Sequence, residues 1–129
     1  VVALLPDSAM MLGTLIHRTV FAQQVVFAEF STSGLCQIGD WPSLNARTVV
    51  LLDGGRLSAG DYQQVAQDLG KRALTAIWLC RLLGSTTDDL PDGFDKSLNA
   101  LNCDAQNVFG CGLDVLGYCR NLPGLYAYD

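Results

Sequence analysis

Thr48-Val49-Val50-Leu51-Leu52-Asp53-Gly54-Gly55 is an apolar β run that carries one carboxylate into a pair of glycines. Four apolar residues without alternation describe a strand buried on both faces, as in a parallel sheet. Asp53 then stands at the carboxyl end of that strand, on the edge where open α/β sheets bind their ligands. An aspartate before Gly-Gly is also an ordinary turn-former, so its meaning depends on what the neighbouring elements bring to the same edge.

Downstream, Ser58-Ala59-Gly60-Asp61 has the form of a capping box with Asp in place of Glu. Tyr62, Val65, Ala66 and Leu69 then mark one helical face, closed by Gly70 with Lys71 and Arg72 beyond it. Residues 74–83 are the longest apolar run and predict a central strand through Ala76-Ile77-Trp78-Leu79-Cys80. A polar loop follows over 84–93, then a short helix over 94–102 through Phe94, Leu98 and Leu101. Residues 107–111 suggest a weak last strand, and 113–122 a last helix stopped by Pro123-Gly124.

Upstream, Val1-Val2-Ala3-Leu4-Leu5 is a second unbroken apolar run, ended by Pro6. Met11, Leu12, Leu15, Ile16 and Thr19 recur at helical spacing over 9–20, with Asp7 or Ser8 as N-cap. Residues 24–30 read as a strand, and 35–45, interrupted by Gly39 and Trp41-Pro42, can hold only a short or irregular helix. The alternation predicts an α/β fold: a (βα)5 flavodoxin-like three-layer sandwich on a parallel five-stranded sheet of order 2-1-3-4-5. Asp7 and Asp53 would meet at its switch point.

Composition narrows the function classes. Thirteen acids against eight bases give a net charge of −5, and the bases never cluster beyond a pair, so the segment has no electrostatic footprint for nucleic acid or anionic lipid. No apolar run reaches the roughly 18 residues of a membrane span. The five cysteines show no C-x-x-C spacing, which favours reduced thiols in a cytoplasmic protein over a disulfide framework or a zinc site. His17, the one histidine, has no acid or nucleophile placed near it in sequence. Asp88-Asp89-Asp92-Asp95 misses the spacing of a Ca²⁺ loop and reads as solvated surface. There is no G-x-G-x-x-G, P-loop or G-x-S-x-G, and no phosphate-binding run of Ser, Thr and Gly after the first strand, which argues against an enzyme or a flavin carrier on this fold. The absence of an initiator Met and the strand-like opening suggest a piece of a longer protein.

Leu4-Leu5-Pro6-Asp7-Ser8, Val49-Val50-Leu51-Leu52-Asp53 and the five-fold βα pattern resemble the receiver domain of two-component response regulators. Within that family the chain is most similar to the atypical N-terminal receiver of LuxR-type biofilm and curli regulators, through residues 98–101 and 107–109. The resemblance implies Asp53 as phospho-acceptor and Asp7 as its partner on Mg²⁺. It also implies a degenerate pocket: Pro6 replaces the second acid, Cys80 the phosphate-binding hydroxyl, and Cys111, or Gly110 one register away, the lysine. The expectation that follows is a non-enzymatic, degenerate receiver over residues 1–122, the regulatory and dimerisation domain of a bacterial transcription regulator. Val115, Leu116, Cys119 and Leu122 form its homodimer face, and residues 123–129 begin a linker toward an absent helix-turn-helix DNA-binding domain. No cofactor is required on this reading, although Mg²⁺ is the ion the two aspartates could hold. The alternatives are a receiver phosphorylated on Asp53 by a histidine kinase, or a sensor of cyclic di-GMP through Tyr126 and Tyr128, which lack the arginine such a site would use.

Overall fold

The structure is a computed structural model, and it describes residues 2–4, 24–31, 33–55, 57–85, 90–103 and 107–128. Strands β1 (Val2–Leu4), β2 (Val25–Ser31), β3 (Gly34–Ile38), β4 (Thr48–Asp53), β5 (Ala76–Gly84) and β6 (Lys96–Asn102) form one sheet in the order β3-β2-β1-β4-β5-β6. β1 runs parallel to both β2 and β4, and β4-β5-β6 continue in parallel. β3 lies antiparallel on the outer edge of β2. A separate two-stranded sheet pairs β7 (Val108–Phe109) with β8 (Tyr126–Ala127).

The core follows from the apolar blocks. Val49, Leu51 and Leu52 of β4 and Ile77, Leu79 and Leu83 of β5 are buried. Helix α1 (Ala59–Gly70) lays Tyr62, Val65, Ala66 and Leu69 onto them, together with Leu44 and Phe94. Each such aliphatic side chain taken out of water contributes about 1.5–3 kcal/mol. Both halves of the expected capping box are present: Asp61 N–H donates to the Ser58 hydroxyl, and the Ser58 N–H donates to Asp61.

The (βα)5 flavodoxin-like architecture is corrected by this topology. Where a second crossover helix was expected, the chain turns back at Gly34, whose φ of +106° suits glycine, and forms the β2-β3 hairpin. The expected helix over 94–102 is instead edge strand β6: Lys96, Leu98 and Ala100 are exposed while Ser97 and Asn99 are half-buried, a period of two rather than 3.6. Residues 113–122 form no helix either. Bridges Gly110↔Leu113 and Val115↔Tyr118 tie them into turns, with left-handed backbone at Cys111, Leu116 and Cys119. α1 is the one helix among the described residues. The helix expected over 9–20, with Asp7, Ser8 and His17, lies outside them.

Candidate functional site

From β1 the chain goes on to β2 on one side, and from β4 to β5 on the other, so the connections diverge between β1 and β4. A divergence of this kind leaves a crevice outside the carboxyl ends of the strands. Asp53, the last residue of β4, stands there with only 6% of its surface exposed. Its Oδ2 accepts the Gly55 N–H at 2.8 Å, the bond by which an aspartate closes a tight turn on itself. The same oxygen accepts the Tyr62 hydroxyl at 2.6 Å. Gly54 O accepts the Leu83 N–H at 3.2 Å, which fastens the turn to β5. Gly55 has φ +92°, and a Cβ there would run into the Leu83 carbonyl oxygen, so this glycine answers to a steric demand.

Behind Asp53 lies a buried polar chain. Arg81 is Asp53's register partner on β5 and is 6% exposed. Its guanidinium lies 5.7 Å from the Tyr62 ring centroid, and its Nε donates to Asn99 Oδ1 at 2.8 Å. Asn99 Nδ2 donates onward to Ser85 O at 3.1 Å, and Gly84 leaves the room that the Asn99 amide occupies. Phe94 meets the Tyr62 ring edge-on at 6.3 Å. A guanidinium out of water is costly unless its surroundings are polar, and here the Tyr62 ring and the Asn99 amide lie against it.

At the start of α1 the chain caps itself. Ser58 gives both its N–H and its hydroxyl to the Asp61 carboxylate, and these bonds hold Asp61 below the usual carboxylate range.

The residues singled out in the sequence are dispersed. Pro6 and Asp7 lie outside the described residues. Cys80 sits in mid-strand opposite Leu52 and Leu98, away from the strand end a phosphate-binding group would need, and burial pushes its thiol up. Cys111, in a left-handed turn, donates its thiol to Pro123 O at 3.3 Å. Val115, Cys119 and Leu122 are half-buried within turns and Leu116 is 90% exposed, so the four make no helical stripe. Tyr126 and Ala127, expected in a linker, pair with β7. Among the described residues no group of three or more His, Cys, Asp or Glu could hold a metal ion, and no helix is long and apolar enough to cross a membrane.

Sequence reasoning missed Tyr62, Arg81 and Asn99 as companions of Asp53. The one signal for them was Arg81, a lone charge inside the longest apolar run. It also missed the ion pair between Arg120 Nη2 and Asp114 Oδ1 at 3.1 Å, beside the 2.6 Å bond from Gly117 N–H to Asp114 Oδ2.

No protein-family model matches the chain, and no characterised protein matches it by sequence. Solved structures do. A hypoxanthine phosphoribosyltransferase from Staphylococcus aureus superposes with a TM-score of 0.72 at 20% identity, covering 99% of this chain and 75% of that one. A hypoxanthine-guanine phosphoribosyltransferase from Bacillus anthracis gives 0.75 at 14% identity, over 98% and 78% of the two chains. The hypoxanthine phosphoribosyltransferase of Trypanosoma cruzi, in complex with the product IMP, gives 0.77 at 15%, over 98% and 73%.

These likenesses overturn the receiver resemblance and what it implied. The structures that share this topology are transferases, so the expectations of a non-enzymatic response-regulator domain, a LuxR-type transcription regulator and a homodimer built on helix 113–122 fall together. Partnership with a histidine kinase, DNA or cyclic di-GMP had no other support. The chain has the fold of the hypoxanthine phosphoribosyltransferases.

Proposed function

We propose that this chain is a phosphoribosyltransferase acting on a purine base at the carboxyl edge of its sheet. The observation that carries the reading is the likeness over 98–99% of the chain to enzymes of that name, one of them holding IMP. Asp53 and its glycine turn supply a carboxylate where the connections diverge, the position at which an α/β sheet engages a ligand.

The transfer joins a ring nitrogen of the base to C1 of ribose 5-phosphate. Pyrophosphate leaves with the bonding electron pair, and the base gives up a proton. Positive charge grows on the ribose as the leaving group departs, and a fixed carboxylate nearby stabilises it without reorganisation. Asp53, held from two sides on Oδ2, is such a group. Mg²⁺ fits this site as a companion of the substrate: it binds through one or two carboxylates together with substrate phosphates. With no carboxylate cluster among the described residues, Asp53 is the side chain on this edge that would share such an ion. The ion would supply charge neutralisation to the pyrophosphate.

The test is IMP formation from hypoxanthine and 5-phosphoribosyl 1-pyrophosphate with Mg²⁺, followed by chromatography. Asp53→Asn is expected to lower kcat/KM about a hundredfold. IMP at a hundred times its Kd should add about 2.7 kcal/mol to stability in a melt. A wild-type chain that makes no IMP and melts unchanged with it would sink the reading.

A further inference from the structure

A carboxylate has two oxygens and about four acceptor sites. Asp53 spends both of its hydrogen bonds from described residues on Oδ2, one from its own turn and one from α1. None of the described residues donates to Oδ1. The terminal torsion of an aspartate is broad and roughly two-fold, so the turn bond alone would leave the carboxylate plane poorly defined. A second donor, arriving from another element, defines it.

We infer that Tyr62 is a positioning residue for Asp53: its hydroxyl, 2.6 Å from Oδ2, orients the carboxylate so that Oδ1 is the oxygen presented to substrate. This rests on the reading of the carboxyl edge as the transfer site. Tyr62 suits the task because it cannot itself move. It is 2% exposed, with Phe94 against its ring and the Arg81 guanidinium 5.7 Å from its centroid. A cation near the ring also draws electron density from the phenol and makes its O–H a stronger donor. Packing does not explain the hydroxyl, since phenylalanine would fill the same place on α1. The oxygen is accounted for by Asp53, nine residues earlier and on another element.

The experiment is a double-mutant cycle of Tyr62→Phe and Asp53→Asn in the full chain, with NMR couplings measured across the hydrogen bond from the Gly55 amide nitrogen to the Asp53 carboxyl carbon. In the wild type, with Oδ2 fixed toward the turn, those couplings should be resolved, and in Tyr62→Phe, with the carboxylate plane free to turn, they should be averaged toward zero. IMP formation by Tyr62→Phe should fall about tenfold to a hundredfold, in kcat more than in KM. Added to Asp53→Asn, the same change should cost nothing further, because it acts through that carboxylate. Unchanged couplings in Tyr62→Phe, or an equal loss in both backgrounds, would overturn the inference. A wild-type chain without transferase activity would defeat the function instead, and the couplings would still decide whether Tyr62 orients Asp53.

Discussion

At the scale of single residues, the site depends on a turn that tolerates no side chain. Gly55 holds φ +92° while its N–H bonds Asp53 Oδ2, and its missing Cβ is the space the Leu83 carbonyl fills. Leu83 N–H in turn bonds Gly54 O, so the two strands approach through backbone alone. Gly55→Ala therefore combines left-handed strain with a collision against backbone that cannot rotate away, and should cost about 2–4 kcal/mol. Urea titration measures it, and a loss below about 0.5 kcal/mol would mean the turn relaxes without penalty. The Asp53 strand and its glycines were legible because apolar run and Gly-Gly are local signals. Arg81 and Asn99 were not, since they reach Asp53 only through the register of three neighbouring strands.

Among the elements, the contact that closes the sheet's far edge onto the helix is made by Asp68. Its Oδ2 accepts the Leu35 N–H at 3.0 Å from the start of β3, and its Oδ1 meets Lys71 at 2.7 Å. The Leu35 bond first, and Lys71 second, hold the Asp68 carboxyl below its ordinary value. A group depressed in the folded state contributes stability above its unfolded pKa, near 3.9, and loses it as the pH falls through the folded value. Lys71 is largely exposed, so the backbone bond carries more of the effect than the ion pair. Stability should then decline below about pH 4, and Asp68→Ala should flatten that decline while losing about 1 kcal/mol at neutral pH. Parallel acid profiles in wild type and variant would assign the loss to other carboxylates. The Ser58 capping box was readable at this scale because a cap is written in four consecutive residues. The β2-β3 hairpin was not: Ser31-Thr32-Ser33-Gly34 marks a turn, but nothing local says that the chain comes back antiparallel. Strand β6 was obscured because Leu98 and Leu101 also fit a helical spacing, although both are exposed.

Across the whole molecule, the main sheet and the small one are built by different means. β4 and β5 bury an unbroken aliphatic layer under α1, whereas β7 and β8 are two residues each and are joined by Phe109 stacking on Tyr126 at 5.6 Å. A Cβ on Gly110, just after β7, would run into the Gly124 carbonyl oxygen, whereas one on Gly124 would meet only the Tyr126 ring at contact distance. The turns between them are held by backbone bonds from Cys111 to Leu122 and from Gly112 to Arg120, with Leu113 the one buried apolar side chain among them. Gly117, with φ +83°, stands in the middle of the helix expected over 113–122 and was the visible sign against it. Local stability follows burial, so the two sheets should open separately. Native-state hydrogen exchange should find the amides of Leu51 and Leu79 exchanging only by global unfolding, and those of Cys111 and Gly112 through an opening cheaper by about 2 kcal/mol or more. Tyr126→Ala removes the stacking partner and should speed the second group while leaving the first unchanged. Equal acceleration of both would show one cooperative unit, in which the aromatic pair contributes to the whole fold rather than to its smaller sheet.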